Sequence, residues 1–192
     1  ASGSTIRRDM LRNAGVAVEA ISARIDEASV KAAMLAEDAP PRDIADKLAE
    51  LKSLRVSRRE PDALVLGADQ VLIHAKTLFD KPTSLDEARD HLTTLSGQPH
   101  ELLSAAVISQ NGEPVWRHIG RAQMIMRPLS PAFIDDYLAE EGDGVLDTVG
   151  CYKLEGRGAQ LFSRVQGDYF SVLGLPLLEV LGFLRARGEL IT

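Results

Sequence analysis

Cysteine is almost missing from this sequence: Cys151 is the only one in 192 residues. A lone thiol cannot close an intrachain disulfide, and it excludes a metal cluster built on cysteine. That usage fits a reducing compartment, and a cytoplasmic location is the expectation. No apolar run reaches the length that spans a bilayer, and no basic-then-apolar leader opens the chain. Positive charge is in deficit, with 22 Lys+Arg against 28 Asp+Glu and a net charge of −6. Such a chain lacks the summed cationic field that wrapping nucleic acid draws on. An anionic small molecule remains open, because it needs only a few well-placed cations. There is no internal repeat, low-complexity tract or interdomain linker. The rest is ordinary globular composition, 45% hydrophobic and 26% charged. It suffices for one α/β domain over residues 1–192, with a real core or two small lobes around a cleft.

The pattern along the chain alternates helices and strands. Small polar residues lead into a helix carrying Arg7 and Arg8, which Asn13-Ala14-Gly15 stops. Residues 16–21 read as a short strand, and Asp26-Glu27 as a helix start. After Pro40-Pro41, Ile44, Leu48, Leu51 and Leu54 recur at three- and four-residue spacing, which predicts an amphipathic helix over 42–59. Residues 63–68 form a continuous apolar strand that ends at Asp69-Gln70. Ser84-Leu85-Asp86-Glu87 has the form of a capping box, so a helix starts at Leu85. Strands over 101–109 and 115–126 flank an Asn111-Gly112 hairpin turn. Ser130-Pro131 opens a further helix. Residues 142–158 are glycine-rich and irregular, and Gly174-Leu175-Pro176 leads into a last helix.

Three places in this pattern suit phosphate chemistry. The Ser2-Gly3-Ser4 loop feeds a helix N-terminus, whose unpaired N–H groups suit phosphate, and Arg7 and Arg8 add fork-shaped donors. Asp69, at the end of a buried strand, stands where α/β folds place ligands and can hold a magnesium ion or orient a water. Lys81, stiffened by Pro82, is a fixed point charge. Each alone is more often something plainer: a capped surface helix, a turn former, a solvated lysine. Their order is what carries weight.

With that order in view the chain resembles the Maf family. Ser2-Gly3-Ser4-Thr5-Ile6-Arg7-Arg8 is similar to the family's Ser-x-Ser-Pro-x-Arg entry, with Thr5 in place of proline. Asp26-Glu27, Leu48-Ala49-Glu50-Leu51-Lys52, Gly67-Ala68-Asp69-Gln70-Val71, Lys81-Pro82, Leu95-Ser96-Gly97-Gln98-Pro99-His100 and Gly174-Leu175-Pro176-Leu177 follow in the family's order. The match runs from residue 1 to roughly residue 184. Thr148-Val149-Gly150 departs from the family's small-residue step. A family member carries a short strand before the position of Ala1, so the chain is expected to lack its first few residues.

The resemblance implies a mixed sheet flanked by helices, as in inosine-triphosphate pyrophosphatases. It also implies hydrolysis of a nucleoside triphosphate to monophosphate and pyrophosphate with a divalent cation (Mg, Mn or Co). Asp69 matches the catalytic base, and an ordinary aspartate, with a pKa near 4, is ionised at neutral pH. Glu27 matches a second carboxylate able to share the metal. Ser4, Arg7, Lys52 and Lys81 match the triphosphate-binding positions. At the family's three specificity positions stand Ile6, Gln70 and Glu155. The last two match the 7-methyl-GTP branch, whereas the dTTP/UTP branch carries other residues. His74, His91, His100 and His118 show no metal-ligand spacing and read as structural or surface residues; Cys151 reads as packed. The implied partner is the nucleotide, with no nucleic acid or membrane; family dimers make a homodimer compatible. Three rivals stand beside this reading: a nucleotide-binding regulator of cell division without turnover, an inosine-triphosphate pyrophosphatase, and a protein–protein adaptor.

Overall fold

The computed structural model describes residue 1 and residues 3–191; Ser2, the first residue of the expected phosphate loop, and Thr192 lie outside the described residues. Helix α1 spans Thr5–Asn13, α2 Glu27–Ala36, α3 Pro41–Ser57, α4 Leu85–Leu95, α5 Pro131–Glu141, α6 Tyr169–Val172 and α7 Leu177–Ala186. Strands β1 Val65–His74, β2 Thr77–Phe79, β3 Pro99–Gln110, β4 Glu113–Met126 and β5 Phe162–Gly167 form one sheet in the order β2-β1-β3-β4-β5. The α/β class holds. Where a mixed sheet was expected, β1–β2 and β4–β5 pair antiparallel. Asn111 and Gly112, both at positive φ, make the tight turn that joins β3 to β4. Among the described residues no helix is long and apolar enough to cross a membrane.

The chain divides into two compact units, each assembled from separate stretches. The first takes residues 1–70, 103–120 and 168–192. Its main core gathers Met10 and Leu11 of α1, Ala68 of β1, Ala106 and Ile108 of β3, and Leu175, Leu177 and Val180 around the start of α7. A smaller cluster joins Ala23, Val56 and Val65. The second unit takes residues 71–102 and 121–167. Helix α4 packs on α5 there, and Leu92, Leu95, Ile134, Tyr137 and Leu138 are buried.

Local signals set several boundaries as expected. Ser84 accepts the N–H of Glu87, capping α4. The return arm of that box is displaced by one residue, because Glu87 accepts from the N–H and hydroxyl of Thr83. Ser130 caps α5 by accepting from Phe133. Two expectations fail. Residues 16–21 form no strand, although Val16 and Val18 turn inward against the main core as a pleat would place them. And β1 does not stop at Asp69: it runs on through Gln70 to His74.

Candidate functional site

That correction sets the geometry of the first unit. Asp69 sits in mid-strand, so its direction is fixed by the pleat: side chains at 67, 69 and 71 share one face of β1, those at 68 and 70 the other. On the first face lies α3. Residue 67 must be glycine for α3 to lie so close. A Cβ there would fall 2.2 Å from the Ala49 carbonyl oxygen and 2.6 Å from the Ser53 nitrogen. An isolated glycine within an apolar strand pattern is the sequence signal for such an approach. Between Ala49 and Ser53 on the helix stands Lys52, buried to 8% exposure, and its ammonium donates to Asp69 Oδ1 at 2.7 Å. Ser53, next along, exchanges a buried 2.7 Å hydrogen bond with Ser109 of β3, which ties the helix to the sheet.

Glu27 completes the group. Asp26 caps α2 by accepting from Ser29, which places Glu27 in the first turn. Its Oε2 accepts from the same Lys52 ammonium at 2.8 Å. Half of its side chain remains exposed, against about a tenth for Asp69. Arg7 comes from α1, which Ser4 caps by accepting the Arg7 N–H at 3.4 Å. The guanidinium donates from Nε to the Gly174 carbonyl at 2.7 Å and from Nη1 to the Ala68 carbonyl at 3.2 Å. Gly174 is at φ +103, with Arg7 3.1 Å from where a Cβ would stand. Its place in the family motif therefore has a physical reason that the sequence reading did not supply.

The electrostatics follow from burial. Desolvation pushes the Asp69 carboxyl above its ordinary value, while the charge and hydrogen bond of Lys52, and the charge of Arg7, pull against the rise. Burial likewise lowers the Arg7 guanidinium, opposed by Asp69 and Glu27. Arg7, Lys52, Asp69 and Glu27 thus form one mutually neutralising cluster.

Two carboxylates converging on a single cation are hard oxygen donors of the kind magnesium or manganese takes. Among the described residues no group of three or more His, Cys, Asp or Glu stands ready to hold a metal. A cation here would rest on Asp69 and Glu27 and draw its remaining ligands from water and substrate. Magnesium characteristically binds in that way, so the donor set fits.

The remaining predicted residues are placed as follows. Gln70 points to the opposite face of β1 from Asp69. Its amide nitrogen donates to the Ser104 hydroxyl at 2.9 Å and to the carbonyls of Ser171 and Val172 at 3.1 and 3.0 Å. Two carbonyl acceptors at that end require the NH₂ group there, so Oε1 is the end these bonds leave over. Ile6 is half-buried against the main core. Lys81 and Glu155 belong to the second unit, and both are exposed. Cys151 is fully buried, and desolvation pushes its thiol up to about 12. This agrees with a packing residue and not with a nucleophile.

Comparison with known proteins gives a consistent result. A family model described as Maf-like protein matches residues 1–187. A nucleoside triphosphate pyrophosphatase of Ruegeria pomeroyi is 53% identical over 192 residues, covering 100% of this chain and 96% of that protein. A nucleoside triphosphate pyrophosphatase of Caulobacter vibrioides is 50% identical over 190 residues, 99% of this chain and 95% of that protein. A 7-methyl-GTP pyrophosphatase of Rhizobium meliloti is 48% identical over 190 residues, 99% of this chain and 96% of that protein.

Proposed function

This chain belongs to the Maf family, and on that premise we propose that it is a nucleoside triphosphate pyrophosphatase. It releases pyrophosphate and leaves a nucleoside monophosphate. The observation that carries the reading is the convergence of Asp69 and Glu27 on one buried cation beside the half-buried Arg7. Phosphoanhydride hydrolysis needs positioning and charge neutralisation more than covalent chemistry.

Asp69 is the catalytic base. Lys52 holds its Oδ1, and the carboxylate takes one proton as water attacks phosphorus and the bridging oxygen leaves with pyrophosphate. Glu27 and Asp69 would hold the divalent cation, which when bound neutralises phosphate oxygens and orients the water. Arg7, fixed by the Gly174 and Ala68 carbonyls, and the α1 N-terminus behind Ser4 bind phosphate oxygens. Lys81 is carried over as a phosphate ligand on its match to the family motif alone. The decisive experiment measures pyrophosphate and orthophosphate from a nucleotide panel with Mg²⁺, Mn²⁺ and Co²⁺. Metal-dependent pyrophosphate is expected. Orthophosphate as first product, or nucleotide binding without turnover, overturns the assignment.

For the base, we read a preference for guanine-type or modified purine nucleotides over pyrimidines, such as 7-methyl-GTP. The Gln70 amide leaves its carbonyl oxygen, and Glu155 supplies a carboxylate; both accept hydrogen bonds. Guanine offers N–H donors on one edge, and methylation makes it cationic. Thymine and uracil present mostly acceptors. Ile6 adds apolar contact where an aromatic would stack on a cationic base. A higher kcat/KM for dTTP or UTP than for GTP and 7-methyl-GTP would refute this.

A further inference from the structure

We propose that the Lys52 ammonium is a resident counter-ion that occupies the place of the divalent cation between Asp69 and Glu27 and is displaced from at least one of them when that cation binds. This rests on the metal-dependent reading above.

The geometry separates what Lys52 must do from what it need not do. Asp69 is buried, and an ionised carboxylate out of water needs a partner. Lys52 is buried too, so each charge makes the other tolerable. Glu27 has no such need: half its side chain reaches solvent. Yet its Oε2 lies 2.8 Å from the nitrogen that Asp69 Oδ1 approaches at 2.7 Å. One ammonium gives the two carboxylates a single positive charge to share, where a divalent cation would give them two.

An ammonium and a divalent ion cannot both stand between the same two oxygens. With no third protein ligand among the described residues, the site is held largely by water and phosphate oxygens. A resident ammonium competes strongly at such a site. Once released, the ammonium remains on α3 beside the incoming phosphates, where it serves as an anion ligand. Lys52 is thus a positioning residue in the metal-free protein and a phosphate ligand after the exchange.

The test uses the whole chain without nucleotide, so its outcome does not depend on turnover. Mn²⁺ binding is followed by the electron-paramagnetic signal of the free ion, and unfolding by thermal denaturation, in wild type and Lys52→Met. The variant is expected to have a lower Tm without metal, to recover it with Mn²⁺, and to bind Mn²⁺ about tenfold more tightly or better, the scale on which neighbouring groups tune metal sites. Equal or weaker Mn²⁺ affinity in the folded variant overturns the displacement while leaving the metal-dependent reading intact. No Mn²⁺ binding to either protein also overturns the displacement, and metal-dependent pyrophosphate release, assayed with nucleotide, then decides the metal-dependent reading separately. Should the variant not fold, wild type decides the matter by NMR. The hydrogen-bond couplings from the Lys52 ammonium to the carboxyl carbons of Asp69 and Glu27 are read before and after saturation with Mg²⁺. Loss of at least one is expected, and survival of both refutes the proposal.

Discussion

Replacing Gly67 with alanine places a methyl group into helix backbone. The new carbon would lie 2.2 Å from the Ala49 oxygen, 2.6 Å from the Ser53 nitrogen and 2.9 Å from the Ser53 Cβ. The two shortest contacts are to backbone, so no side-chain rotation relieves them. Restoring van der Waals distance requires α3 to retreat from β1 by about 1 Å, in a core that is close-packed. Overpacking of this kind costs about 1–3 kcal/mol, and the backbone clash puts Gly67→Ala at the upper end. At about 3 kcal/mol, Tm falls by about 6–12 °C for a chain of this size. The retreat also carries Lys52 away from Asp69, stretching a 2.7 Å bond past hydrogen-bonding range. A misplacement of about 1 Å costs about 10²-fold in rate. Thermal denaturation and pyrophosphate release, measured on the same preparation, read both effects. Gly182→Ala is the control: nothing lies within 4 Å of its Cβ position, it sits inside α7, and alanine there should stabilise by about 1 kcal/mol. Wild-type Tm and kcat/KM in Gly67→Ala would refute the close-approach reasoning.

Asp69→Asn keeps the shape and removes the base; the rate should fall by about 10²–10⁴-fold, and retention of most activity would exclude Asp69 as the base. Arg7→Ala and Lys81→Ala should raise KM or lower kcat; a large drop in Tm for exposed Lys81→Ala would point to a structural role instead. His100 predicts an acid limb in stability. It is buried, donates or accepts at Nε2 with the Tyr152 hydroxyl at 2.7 Å, and has no partner for Nδ1 among the described residues. Desolvation, with a lesser push from His74, lowers its pKa from 6.5 to about 4. As pH falls below 6.5 the unfolded chain takes up this proton first, so the contribution is intact above 6.5 and lost on the way down to 4. The loss amounts to about 3 kcal/mol. Urea unfolding of wild type and His100→Gln at pH 7 and 4.5 checks it, and an equal pH dependence in both would refute it.

What the sequence disclosed was mostly local. Ser84 and Ser130 announced α4 and α5, and Asn111-Gly112 announced the β3–β4 turn, because caps and tight turns are made within a few residues. β2 and β5 went unread: each is short, and nothing local marks the neighbour it pairs with. The apolar spacing of α3 was legible, and Ile44 and Leu48 are buried as it implies, but the rest of the inward face was not read. Ala45, Ala49, Lys52 and Ser53 are buried there, while Leu51 and Leu54 are only half-buried. A lysine on the buried face reverses the usual expectation, and only Asp69 across the contact explains it. Arg7, Glu27, Lys52 and Asp69, the members of the cluster, were each picked out through family motifs. The Lys52 bridge was not, since its partners lie 25 and 17 residues away in sequence.

Helix α2 buries none of its residues, yet it brings Glu27 to the cluster. The two carboxylates therefore stand on supports of unequal firmness. Asp69 is set in the middle of a paired strand and cannot leave without opening the sheet. Glu27 rides on a helix with little apolar anchorage, and such elements open at the low end of the local free-energy scale. Amide exchange at the start of α2 should outrun that of β1 by orders of magnitude. A cluster with one fixed wall and one loosely anchored wall can widen at Glu27 while Asp69 keeps its place.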